Sequence, residues 1–170
     1  MVVLLWDASA LVKRYALERG SEAVDALFLN TPRAQMRATF VGYAETYSVL
    51  LRKRNRGDLT EPTFRSAVSL LQAEVLDSPD FGLLTVSDLA FLDGIEAMEK
   101  YNLNASDAAI LTVFRGYAQA EAALGFRCVL VAADQRFILA AQGDGLDTLN
   151  PELHPAADIP ALLAGFGYAP

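Results

Sequence analysis

Hydrophobic residues along the chain recur in two periods, one suited to strands and one to helices. Val2 to Trp6 is a short unbroken apolar run closed by Asp7, the pattern of a strand covered on both faces. A helix is expected over Ala8 to Ala16 and a second over Ser21 to Leu29, stopped by the Asn30-Thr-Pro32 turn. A short strand follows near Gln35 to Thr39. Phe40, Ala44, Tyr47 and Leu51 return at helical spacing, and this helix ends in Arg52-Lys-Arg-Asn-Arg56 before Gly57. The helix dipole favours basic residues at that end. Thr60 is placed to cap the next helix, with Pro62 in its first turn and Phe64, Val68, Leu71 and Val75 on its buried face.

Leu83 to Val86 reads as a strand, followed by a helix from Ser87 with Leu89, Leu92, Ile95 and Met98 on one side. An alanine-rich helix spans Ser106 to Leu124. Then come a strand over Cys128 to Ala132, a short helix over Asp134 to Gln142 and a last strand around Leu146 to Leu149. Strands alternating with helices imply parallel pairing with right-handed crossovers, hence a three-layer α/β/α sandwich with a mainly parallel central sheet. One domain is expected over 1–150, with 151–170 as a loose tail packed on it or trailing from it.

Composition narrows the function classes. No apolar run approaches the roughly 18 residues that span a bilayer, so no membrane role is expected. Met1-Val-Val-Leu-Leu-Trp6 has neither a basic region before it nor a small-residue cleavage site after it, unlike a secretion signal, and the cytoplasm is the expected compartment. Cys128 is the sole cysteine, which excludes a disulfide framework and a cysteine zinc site within the chain and suits a buried thiol. His154, the sole histidine, lies in the turn sequence Asn150-Pro-Glu-Leu-His-Pro155 and is not read as catalytic.

Acids are the remaining candidates for chemistry. Asp7 and Asp134 each follow a predicted strand, the edge where open α/β sheets bind ligands. Asp107 stands near a helix start and Glu45 within a helix body. Hard cations such as magnesium take oxygen ligands, and bound ions acidify water and stabilise leaving oxygens in phosphodiester hydrolysis without histidine or cysteine. Each aspartate alone is also explained as a helix cap. Glu45, beside Ala44 and Tyr47 in mid-helix, is not. The net charge of -7 is no obstacle to a nucleic-acid partner, because four such carboxylates contribute -4 of it and would be offset by metal.

Four segments carry a family resemblance. Val3-Leu-Leu-Trp-Asp7-Ala-Ser9-Ala-Leu-Val-Lys-Arg-Tyr15 resembles the opening of PIN domains, a strand ending in Asp-x-Ser/Thr and then an apolar-basic helix. Tyr43-Ala-Glu45, Ser106-Asp107-Ala-Ala and Ala133-Asp134-Gln-Arg-Phe137 agree in order over nearly the whole chain. The resemblance is to PIN-domain ribonucleases of the VapC toxin type. It implies that Asp7, Glu45, Asp107 and Asp134 bind Mg2+ or Mn2+ and cleave RNA, with Ser9 orienting water at the metal. It also implies a cognate antitoxin and a homodimer. Ala108-Ala-Ile-Leu-Thr112 departs from the leucine or histidine many relatives carry there, which bears on substrate preference.

Arg14, Arg52 and Arg54 are candidate RNA contacts, the latter two within the basic run that also holds Lys53 and Arg56. Tyr15, Phe40, Tyr43 and Tyr47 are read as core rather than as base-stacking surfaces. Two other classes stay open: a catalytically silent PIN-like module that binds nucleic acid or protein, and a phosphotransfer domain. The latter lacks a second aspartate two places after Asp7 and has Ala132-Ala-Asp134 where a receiver needs lysine.

Overall fold

The computed structural model describes residues 1–167. Five strands, β1 (Val2–Trp6), β2 (Met36–Thr39), β3 (Gly82–Leu84), β4 (Arg127–Val131) and β5 (Asp147–Leu149), form one sheet in the order β3-β2-β1-β4-β5. Every pairing is parallel, with Leu4 opposite both Met36 and Val129. The sheet is flanked by α1 (Ala8–Leu11), α2 (Ser21–Asn30), α3 (Phe40–Arg56), α4 (Glu61–Leu71), α5 (Asp88–Asp93), α6 (Ile95–Tyr101), α7 (Ala105–Ala123), α8 (Gln135–Gly143) and α9 (Ile159–Gly165). The expected α/β/α sandwich is the observed one.

The unbroken apolar run of β1 is explained by its central place. Successive strand residues point to opposite faces, and here Val2, Leu4 and Trp6 join one core while Val3 and Leu5 join the other. The first core takes Leu27 of α2, Leu50 of α3, Leu71 of α4 and Leu163 of α9. The second takes Ala97 of α6, Phe114 of α7 and Phe137 of α8.

Three expectations are corrected. The apolar stripe of α3 faces inward only in part: Leu51 packs against the first core, but the buried positions are Gly42, Thr46 and Leu50, and Phe40 and Tyr47 stand exposed. A buried threonine fits because its hydroxyl donates to the Gly42 carbonyl at 2.8 Å. The helix from Ser87 is interrupted at Gly94, and Leu89 and Leu92 are 67% and 62% exposed. These short helices pack through small residues, Ala90 and Ala97, and a side chain at Gly94 would come within 3.1 Å of the Ala108 backbone. Close approach to α7 thus outweighs burial of the leucines.

The segment after Pro151 is not loose. Two 3-10 turns, Pro151–Leu153 and Ala156–Asp158, lead into α9, whose Ile159 and Leu163 are fully buried in the first core. The last three residues of the expected 151–170 tail lie outside the described residues. No described helix is long and apolar enough to cross a membrane.

Candidate functional site

β1 has β2 on one side and β4 on the other, so the chain leaves it in one direction for β2 and β3 and returns across it for β4 and β5. In a parallel sheet the crevice beyond the carboxyl ends of such a strand pair is the place where ligands bind. Asp7 and Asp134 stand at that edge, and the Asp7 amide donates to the Val131 carbonyl at 3.0 Å.

Ser9 joins the two strand ends. Its hydroxyl donates to Asp7 Oδ2 and accepts from the amides of Ala133 at 2.9 Å and Asp134 at 3.1 Å. One donor and two lone pairs are the whole capacity of a hydroxyl. In this arrangement Ser9 therefore acts as a clamp between the β1 and β4 loops, with no hydrogen left to orient a water.

Asp7 also caps α1 by accepting from the Ser9 amide, and Asp134 caps α8 by accepting from the amides of Arg136 and Phe137. Asp107 does not cap its helix. Asn104 does so, accepting from the Asp107 amide at 2.8 Å while its own amide donates to Asp107 Oδ2 at 2.9 Å. The Glu45 carboxylate makes no hydrogen bond among the described residues, and only burial and neighbouring charges act on it.

All four acids line one cavity of about 270 Å3, together with Ser9, Asn104 and two cations, Arg52 and Arg136. Their electrostatics are mutual. Burial, then the charges of Asp7 and Asp107, push the Glu45 carboxyl up to about 7. Burial, then Asp7 and Asp134, push Asp107 up to about 6. Asp7, 7% exposed, is raised by burial against the hydrogen bonds from Ser9 and Ala8 that favour its anion.

Four carboxylates against two guanidiniums leave two negative charges uncompensated, which fits a divalent cation. Among the described residues no three acidic, histidine or cysteine side chains are gathered closely enough to be a ready ligand cage. The two observations are compatible with a hydrated ion. Magnesium keeps several waters and needs only one or two carboxylates directly, so an open acidic cavity serves where a dry cage is absent.

The expected basic contacts divide. Arg52 lines the acidic cavity, and so does Arg136, which is not among the expected contacts. Arg14 faces away: it grips Glu74 at 2.9 and 3.1 Å and Asp25 at 2.7 Å and lies 5.0 Å over the Phe28 ring. Arg54 lines no part of the cavity, because its guanidinium covers Phe64 at 4.8 Å and bonds Asn55. Both are withdrawn as RNA contacts, since their forks are committed to protein acceptors and aromatic faces. Tyr15 is buried in the first core as expected, His154 lies outside the acidic cavity, and Cys128 is buried with its thiol pushed up to about 12 by desolvation.

No known family model matches the chain, and no curated protein does. Solved structures do. PAE2754 from Pyrobaculum aerophilum is 15% identical over 98% of this chain and 90% of its own, with a TM-score of 0.59. FitAB bound to an IR36 DNA fragment is 12% identical over 88% and 96%, with a TM-score of 0.63. A toxin-antitoxin complex from Klebsiella pneumoniae is 18% identical over 87% and 97%, with a TM-score of 0.50. At such identities the likeness is one of fold, an α/β/α sandwich around a parallel sheet.

Proposed function

We propose that the chain is a divalent-metal-dependent endoribonuclease of the PIN-domain, VapC-like kind and the toxin of a toxin-antitoxin pair. The reading is carried by the convergence of Asp7, Glu45, Asp107 and Asp134 on one cation-deficient cavity at the sheet's switch point. Those four acids would hold magnesium or manganese, which when bound acidifies water and stabilises charge on a phosphodiester. Ser9 fixes the spacing of Asp7 and Asp134 by bonding both strand ends. Arg52 and Arg136 are the cavity's donors for phosphate oxygens. The Glu45 carboxyl, pushed up to about 7 by burial and by the charges of Asp7 and Asp107, is an acid whose anion a bound cation would stabilise.

Likeness in fold to a toxin-antitoxin complex from Klebsiella pneumoniae supports the toxin setting. A cognate antitoxin, a homodimer and the cytoplasm follow as partners and compartment. Asp7→Asn keeps the acceptor for Ser9 and removes the charge. It is expected to retain the wild-type circular dichroism and to lose magnesium-dependent cleavage of an oligoribonucleotide by about 100-fold or more, beyond the loss usual for outer-shell partners. Growth arrest on expression is expected to vanish with it. Retained metal-dependent cleavage in this variant contradicts the proposal.

A catalytically silent nucleic-acid- or protein-binding module is the second reading. It is favoured by the capping roles of Asp7 and Asp134 and by the absence of a ready ligand cage among the described residues. Manganese binding by calorimetry that disappears in Glu45→Gln counts against it, because Glu45 caps nothing.

A further inference from the structure

A second cavity, of about 520 Å3, adjoins the acidic one and shares four wall residues with it: Ser9, Val49, Arg52 and Asp134. The shared wall makes the two a continuous groove. One stripe of α3 runs its length. Glu45, Val49, Arg52 and Arg56 follow one another by four, three and four residues, the spacing that keeps side chains on one helix face. Glu45 belongs to the acidic end, Arg56 to the other, and Arg52 to both.

The cations of the second cavity are not equivalent. Lys13 is buried and held by Glu152 at 2.7 Å and Glu18 at 3.4 Å, and Lys53 is held by Glu18 at 3.1 Å. Arg52 bonds only the Ser48 hydroxyl, at 2.8 Å, and neither Arg52 nor Arg56 forms an ion pair among the described residues. Both are exposed. Asp134, shared with the acidic cavity, and Asp58, just past the helix end, are the further carboxylates of this cavity. Two free guanidinium forks therefore point into the groove while the lysines are already neutralised.

We propose that one strand of a polynucleotide enters the acidic cavity along this groove, with Arg52 and Arg56 taking successive phosphates beside the bond to be cut. The proposal rests on the nuclease reading above and names how its substrate is held. Side chains four apart on a helix stand about 5 to 6 Å from each other, which matches the repeat of phosphates along a single strand. Guanidinium forks bind phosphate with two parallel hydrogen bonds, which point-charge lysines do not. A cleft of this volume is of small-ligand size, room for on the order of two nucleotides and none for a duplex.

Fluorescence anisotropy of a labelled single-stranded oligoribonucleotide tests this, in the Asp7→Asn background with magnesium so that the strand stays whole. Arg52→Ala and Arg56→Ala are each expected to weaken binding about 10-fold and to lower the slope of log affinity against log salt by about 0.7, the loss of one phosphate contact. Arg54→Ala removes the same charge from the same helix and is expected to change neither by more than about twofold, since Arg54 lies outside the groove. In the cleaving enzyme Arg56→Ala should raise KM and leave kcat. Equal losses in all three variants, or wild-type binding in Arg52→Ala and Arg56→Ala, overturn the groove. If the wild type cleaves RNA while those two variants behave normally, the groove alone falls. If the wild type shows no metal-dependent cleavage, the nuclease reading falls with it.

Discussion

Asp7 and Asp134 each do two jobs, capping a helix and facing the cavity, whereas Glu45 does only the second. A carboxyl whose folded pKa lies above its unfolded value binds more protons folded than unfolded, so stability is greatest below the unfolded value and falls as pH rises through the folded one. Glu45 rises from 4.5 to about 7 and Asp107 from 3.8 to about 6, with Asp7 moved the same way. Glu74, lowered by Arg14 against the opposing effect of burial, acts only below its ordinary 4.5. The metal-free protein should therefore melt several degrees higher at pH 5 than at pH 8, and magnesium should restore the difference at pH 8. A melting temperature that climbs over this interval without metal contradicts the reading of the cluster as cation-deficient.

Among the elements, local signals were legible where the determinant lay within a few residues. The apolar run of β1, the Thr60 cap and the alanine-rich α7 all needed only neighbours in sequence. The buried face of α3 was not legible, because burial there goes to Gly42 and Thr46, whose small size and back-bonded hydroxyl give no hydrophobic mark. The acids were readable one by one from strand ends and family order. Their meeting, and the Ser9 bridge across 124 positions to Ala133, depends on β1 lying beside β4.

Arg14 shows the same limit from the other direction. Its partners Asp25 and Glu74 lie 11 and 60 positions away, so a basic residue two turns after Asp7 looked available for RNA. It ties the α1 region to the π-helical turn Gln72–Leu76 that continues α4. Arg14→Met should cost about 2 kcal/mol in urea unfolding, the usual worth of hydrogen bonds to a charged group, and leave KM for RNA unchanged. A raised KM without a stability loss would return Arg14 to the substrate site.

At the scale of the molecule, the C-terminal segment and the groove belong to the same body as the acidic cavity. Glu152, on the first 3-10 turn after β5, holds Lys13 and lines the groove, so the chain end helps shape the entry. α9 anchors that end by burying Ile159 and Leu163. Ile159→Ala is expected to lower stability by about 2 to 4 kcal/mol, the range for truncating a buried aliphatic side chain. An effect under about 0.5 kcal/mol, typical of surface changes, would mean that α9 is not part of the fold's core.

Because the net charge of -7 is spread over a chain whose cavity holds four acids and two arginines, charge alone does not identify the partner. What decides it is whether the acids share an ion. A crystal soaked in manganese and measured at its absorption edge addresses that directly. The account predicts an anomalous peak in the cavity between Asp7, Glu45, Asp107 and Asp134, within ligand reach of at least two of them directly or through water. A well-diffracting soaked crystal with no peak there, or with manganese bound only elsewhere, would contradict it.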